Sequence, residues 1–228
     1  MFGREGKVDD CLSGVWFEIR RMERVVVPEI LDGLSADDER AKRSRRDLRL
    51  INWLMGNERW IGKQVVGGGG VVELGAGDGR LACRLAGLGL QVTGLDLQER
   101  PEGLGSGVSW VAGDLFETLA GVEGEVVVGG LILHHFDDGA LARLGRLLAE
   151  KRKLVFAEPL REVLALVEGA LLWPLVNEVT RHDMMVSIRA GFRRGELRGL
   201  LGLEEGWRWE EWATLRGGLW SVAIREDK

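Results

Sequence analysis

Between residues 71 and 159, short apolar runs alternate with segments of helical periodicity, and most runs stop at an acid or a glycine. The runs are VVEL (71–74), QVTGLD (91–96), VSWVAGD (108–114), EVVVGGLIL (125–133) and KLVFAEP (153–159). Leu81, Leu85 and Leu88 fall on one face of a helix over 78–88, and Leu141, Leu144 and Leu148 on one face of a helix over 137–150. Apolar strands separated by amphipathic helices pair parallel through right-handed crossovers.

The C-terminal end breaks this rhythm. WRWEEW (207–212) and LWSVAIR (219–225) are separated only by ATLRGG, a spacing that suits a hairpin and an antiparallel last strand. The expected fold is α/β: a Rossmann-like, seven-stranded, mostly parallel sheet whose last strand is antiparallel. Upstream, Ser35 and Asp38 form a capping-box pattern, and Leu48, Ile51, Leu54 and Met55 continue at helical spacing to a stop at Gly56. A second short helix is expected over 58–65. GGGG at 67–70 divides a helical N-terminal cap, 1–66, from a main domain, 67–228. Residues 161–192 read as a helical insertion after the fifth strand, and Glu196–Leu201 as part of the crossover helix leading to the hairpin.

The chain has 228 residues, 45% of them hydrophobic, which suits one domain with a sizeable core. A formal charge of −5 gives no bulk attraction to nucleic acid or anionic membrane. The basic run AKRSRRDLR lies on an amphipathic helix and reads as a solvated face. Trp207 and Trp209 alternate as strand residues packing on the sheet. Cys11 and Cys83 have no metal-ligand spacing, and Cys83 reads as a small core residue. The N-terminal segment lacks the apolar core of a signal peptide, and the longest apolar run, LALVEGALLWPLV, is interrupted by Glu168 and Pro174. These features point to a cytoplasmic protein without membrane insertion.

In open α/β sheets ligands bind beyond the carboxyl ends of the strands, where strand order reverses. Four expected strand ends carry acids, glycines or histidines: Glu73 with GAGDG, Asp96, Asp114, and HHFDD after Leu133. Their convergence on one crevice is the main functional inference. Glycines at 75, 77 and 79, with Arg at 80, depart from the G-x-G-x-x-G turn of nicotinamide binding. Side-chain-free positions let a ligand approach the backbone, and a carboxylate such as Asp96 can accept both hydrogen bonds of a vicinal diol.

On these residues the sequence resembles the class I S-adenosylmethionine-dependent methyltransferases. VVELGAGDGR looks like the family's first motif, VTGLDL its second and VAGDLFE its third, while VVVGGLILHHFDD resembles the fourth strand and loop of the small-molecule, quinone-biosynthesis-like branch. The resemblance covers roughly residues 68–160. It implies S-adenosyl-L-methionine held by Glu73, Gly75, Ala76 and Gly77 around the methionyl part, by Asp96 and Leu97 at the ribose, by Asp114 and Leu115 at the adenine, and by Gly130 and Leu131. One departure stands out: Gly129 and Gly130 offer only backbone where relatives often carry a polar side chain.

Methyl transfer is an in-line displacement on an activated donor, so positioning supplies much of the rate, and a hydroxyl acceptor gains from a base. The histidines are His134, His135 and His182. The first two sit at the expected tip of the fourth strand, where alternation sends their side chains to opposite sides; His135 is favoured for the acceptor side, because the family's loop often keeps a histidine there. Both could equally bond backbone or cofactor and take no proton. Asp183 could orient His182 or cap a helix starting at Met184. No metal is expected, since adjacent strand histidines point apart. Leu171, Leu172, Trp173, Val176, Met184 and Met185, with the helix SRRDLRLINWLMGNERW, would roof an apolar pocket or be plain core. The reading is methyl transfer to a small apolar, phenolic or polyketide-like acceptor, at oxygen in preference to carbon or nitrogen. A non-catalytic, cofactor-binding regulatory or scaffold protein is the alternative from another class; a nicotinamide-dependent reductase is disfavoured by the glycine spacing.

Overall fold

The computed structural model describes residues 22–35, 37–65 and 69–226. Cys11 and two of the four linker glycines, Gly67 and Gly68, lie outside them. Seven strands form one sheet: β1 (Val71–Leu74), β2 (Val92–Asp96), β3 (Val108–Ala112), β4 (Val126–Gly130), β5 (Lys153–Pro159), β6 (Trp207–Ala213) and β7 (Gly218–Arg225). Their order is β3-β2-β1-β4-β5-β7-β6. Strands β1 to β5 pair parallel, and β7 runs antiparallel between β5 and β6. Strand order therefore turns back between β1 and β4, which sets the carboxyl ends of β1, β2 and β4 around one crevice.

Alternation along the strands builds two cores. Val72, Leu74, Val127, Leu154 and Phe156 face Leu141, Leu144 and Leu148 of α5 (Asp138–Leu148) and Leu197 of α8 (Glu196–Leu201). Val71, Val126, Val128 and Val155 face Trp60 and Ile61 of α2 (Asn57–Gln64) and Leu81 and Leu85 of α3 (Arg80–Ala86). Gly145 lets α5 meet the α8 end closely; a Cβ there would stand 1.7 Å from the Leu201 carbonyl oxygen. Trp207 is buried, and Trp209 donates its indole N–H to Leu203 O at 2.7 Å, so both tryptophans serve the sheet.

Helix α1 (Glu39–Met55) ends at Gly56 in the left-handed conformation, but it starts later than the sequence suggests. Asp38 is the cap, accepting from Arg40 N at 2.8 Å, while Ser35 stays outside the helix. The basic face is the outer one: Ala41, Ser44 and Asp47 are buried on the opposite side. There Ser44 Oγ lies 2.9 Å from Thr180 Oγ1, and Asp47 accepts from Asn177 N at 2.8 Å. These bonds dock α1 on α7 (Glu178–Ala190), which with α6 (Val163–Leu171) lies between β5 and α8. Cys83 is exposed, a correction to its expected burial: it sits on the solvent side of α3. Among the described residues, no helix is long and apolar enough to cross a membrane.

Candidate active site

The turn after β1 explains its glycines. Gly75 and Gly77 have φ of 62° and 54°, a region that side chains with a Cβ avoid. A Cβ on Gly75 would meet Ile132 Cδ1 at 2.6 Å, whereas one on Gly77 would meet nothing closer than 4.0 Å. Gly75 is thus bare because the loop after β4 presses on it, and Gly77 borders space that no described residue fills. Ala76 is buried and donates its N–H to Leu95 O at 3.0 Å, tying the turn to β2.

Asp96 closes β2 against this turn. Its Oδ2 accepts from Gly77 N at 2.8 Å and its Oδ1 from Gln98 N at 2.9 Å. Leu97 beside it is 74% exposed. Asp114, one strand further, accepts from Phe116 N at 2.8 Å as the cap of α4 (Leu115–Thr118), and Leu115 opens that helix, partly buried. Both acids perform the turn-capping duty open to them, and each carboxylate keeps lone pairs. Glu73 lies beneath, 4% exposed, and its Oε2 has no hydrogen-bond partner among the described residues. Burial drives its pKa well above the usual carboxylate range, despite a backbone hydrogen bond from Ala82, and the nearby Glu58, Asp78 and Asp96 charges add to the rise.

The expected fourth strand is too long. It stops at Gly130; Leu131 takes φ of 57° with its N–H on Ala157 O at 2.8 Å, and Leu133–His135 form a turn of 3-10 helix. The opposed histidines of a strand are therefore replaced by neighbouring rings, centroids 4.3 Å apart and tilted by 36°. His134 is buried; His135 keeps 31% of its side chain exposed.

Two acids absent from the sequence reading hold His134. Glu158, at the end of β5, accepts from the N–H groups of Ile132 (3.0 Å), Leu133 (2.9 Å) and His134 (3.3 Å), and its Oε2 lies 2.8 Å from His134 Nδ1. Glu29 places Oε1 3.7 Å from His134 Nε2. Burial by itself depresses the His134 imidazolium, but the two carboxylates outweigh it and carry the pKa up to about 9. Burial and the adjacent His134 charge lower His135. For Glu29, burial pulls upward, and the bonds from His134 and Ser187 with the charge near His135 bring it below the ordinary value.

Glu29 belongs to a strap over residues 22–34, irregular up to a 3-10 turn at Leu31–Gly33. Arg24 donates to Ala190 O (2.9 Å), Phe136 O (2.6 Å) and Asp138 (2.7 Å), and Arg161 reaches Met22 O. Asp183 accepts from Ile30 N and Leu31 N at 2.8 and 3.0 Å. Asp183 therefore caps no helix of its own: it sits inside α7, whose cap is Asn177, and pins the strap. His182 bonds Asp183 at 3.0 Å, and no described bond joins it to the His134–His135 pair. Of the expected roof residues, Leu171 and Trp173 face outward at 72% and 43% exposure, and Val176 is buried. The strap reaches the histidines through Glu29 and Asp32. Acids ending β5 and following Pro28 were the available signals: Glu158 obeys the same strand-end rule as Asp96.

No family model matches the chain, and no curated protein matches it. Solved structures do resemble it. The plantazolicin methyltransferase BpumL, in complex with a monoazolic desmethylPZN analog and SAH, superposes with a TM-score of 0.66 at 12% identity, covering 94% of this chain and 100% of that one. This is the methyltransferase fold. The plantazolicin methyltransferase BamL, with a triazolic analog and SAH, gives a TM-score of 0.60 at 15% identity over 83% of this chain and 88% of that one. The methyltransferase domain of bacterial-CtHen1-C gives 0.56 at 15% over 77% and 100%. Within the methyltransferase fold, the glycine turn, Asp96 and the histidine turn stand at the carboxyl ends of β1, β2 and β4, three adjacent strands that include the reversal of order between β1 and β4.

Proposed function

We propose that the protein transfers a methyl group from S-adenosylmethionine to a small apolar acceptor, with oxygen as the accepting atom. One observation carries the reading: Gly75 and Gly77 are both left-handed, and Asp96 anchors the Gly77 N–H beside space open among the described residues. Glu73 adds a buried carboxyl oxygen without a partner among the described residues at the same turn, a fitting neighbour for the donor's ammonium end. The solved methyltransferases of the same fold in complex with SAH support this choice of donor.

The bound donor supplies a sulfonium methyl that is already activated. The chain's own work is positioning. Glu73 and the turn at 75–77 would hold the methionyl part, Asp96 with Leu97 the ribose diol, Asp114 with Leu115 the adenine edge, and the backbone of Gly130 and Leu131 would floor the cleft. The acceptor would enter under the strap at 22–34 and the insertion at 161–192, with its oxygen at the histidine turn. His135 is assigned to activating that oxygen: its ring is partly open, whereas His134 faces carboxylates through both nitrogens.

The test is incubation with methyl-labelled S-adenosylmethionine and a panel of phenols, apolar hydroxy compounds and azole peptides. Label should pass to an organic-extractable acceptor, and His135→Ala should cut turnover by about 100-fold or more with unchanged affinity for S-adenosylhomocysteine. Tight donor binding without transfer to any of them would favour the non-catalytic, cofactor-binding alternative.

A further inference from the structure

We propose that Glu29, His134 and His135 bind one divalent transition cation of the zinc type on the acceptor side of the cleft. The site's existence stands on its own geometry; its role in catalysis rests on the methyl-transfer reading.

One ligand atom from each of the three residues lies within 4.8 Å of those of the other two. A tetrahedral zinc ion with bonds of about 2.0–2.1 Å sets its ligands roughly 3.4 Å apart. The Glu29 Oε1 to His134 Nε2 separation of 3.7 Å is already close to that value. His135 needs a small inward swing, and a partly exposed ring has the room.

Each candidate ligand has a second group that aims it. His134 Nδ1 is engaged by Glu158 at 2.8 Å, which leaves Nε2 directed at Glu29, the carboxylate–histidine arrangement that orients metal-bound imidazoles. Glu158 is itself fixed by three backbone N–H groups, so the ring cannot turn away. Ser187 Oγ donates to Glu29 Oε1. Asp32 Oδ2 stands 3.9 Å from His135 Nδ1, where it can support that ring. Two imidazoles and a carboxylate select zinc-like ions over magnesium, and three protein ligands leave one position open.

An acceptor hydroxyl on that open position would lose its proton to solvent water more readily. Its oxygen lone pair then forms the bond to the methyl carbon as the carbon–sulfur bond breaks, leaving the thioether product. In this state the ion does the activating that a free His135 imidazole would otherwise do.

The experiment is equilibrium dialysis of the chelator-stripped full chain against Zn2+, Mg2+ and Co2+, with metal counted by mass spectrometry and Co2+ read by visible absorption. The expected result is about one Zn2+ per chain, no retained Mg2+, and a visible Co2+ band. His135→Ala and Glu29→Gln should each weaken Zn2+ binding at least ~10-fold with unaltered circular dichroism. The absence of stoichiometric Zn2+ binding, or binding retained in both variants, would overturn the site. S-adenosylhomocysteine is titrated in parallel: Zn2+ bound without it would uphold the site and remove its catalytic role, and the reverse would remove the site alone.

Discussion

Glu158 Oε2 lies 2.8 Å from His134 Nδ1, and the same carboxylate accepts from the backbone N–H groups of residues 132 to 134. One side chain at the end of β5 therefore fixes the shape of the turn after β4 and the direction of its first histidine. Burial of Glu158 at 1% exposure makes the arrangement depend on every one of these bonds.

Glu158→Ala would strand three backbone N–H donors, those of Leu133 and His134 buried, and an imidazole. Such a loss costs about 3–5 kcal/mol when a buried charged partner is removed. Urea unfolding should show a drop of that size, with Glu158→Gln recovering part of it. A loss below about 0.5 kcal/mol, typical of an unimportant surface site, would contradict the role given to Glu158.

Gly75 and Gly77 share a backbone region yet should respond differently. Gly75→Ala drives a Cβ to 2.6 Å from Ile132, so it carries a clash as well as the left-handed penalty. Gly77→Ala carries only the penalty, about 1–2 kcal/mol. Thermal melts should rank Gly75→Ala as the less stable. Gly77→Ala should fold and yet weaken S-adenosylhomocysteine binding, because its methyl points into the space assigned to the ligand. Equal stability of the two variants would refute the packing argument.

Glu73 makes stability depend on pH. Its folded-state pKa is raised well above 4.5, so the fold favours the protonated acid. That stabilisation is complete below the unfolded value and is lost as pH climbs toward the folded one. Glu73→Gln imitates the neutral acid and escapes the loss. Its melting temperature relative to wild type should therefore rise between about pH 5 and about pH 8. A constant difference across that range would mean that Glu73 is ionised in the fold.

The strand positions were readable because period-two apolar runs and the glycine turn are local signals. β5 and the α8 helix fall where the pattern puts them. The fourth strand was misjudged because LIL continues the apolar run past Gly130, while the chain is turned by Leu131 in a left-handed conformation that no local preference announces. That error carried the two histidines to opposite faces. Of the two alternatives for Asp183, the bond to His182 agrees with the first, and the cap fails because a polar residue inside α7 looks like a cap when its other partners, Ile30 and Leu31, are 153 and 152 residues away. Glu29 escaped notice for the same reason: it lies in an aperiodic strap, and its partners, His134 and Ser187, are remote in sequence.

The most direct measurement is calorimetric titration of S-adenosylhomocysteine into the wild type and into Asp96→Asn. The account predicts one-to-one binding that the substitution weakens by about 10- to 100-fold, the worth of charge-assisted hydrogen bonds to a diol. A titration of the folded wild type that shows no binding, or an Asp96→Asn protein that binds equally well, would contradict the placement of the donor in this cleft.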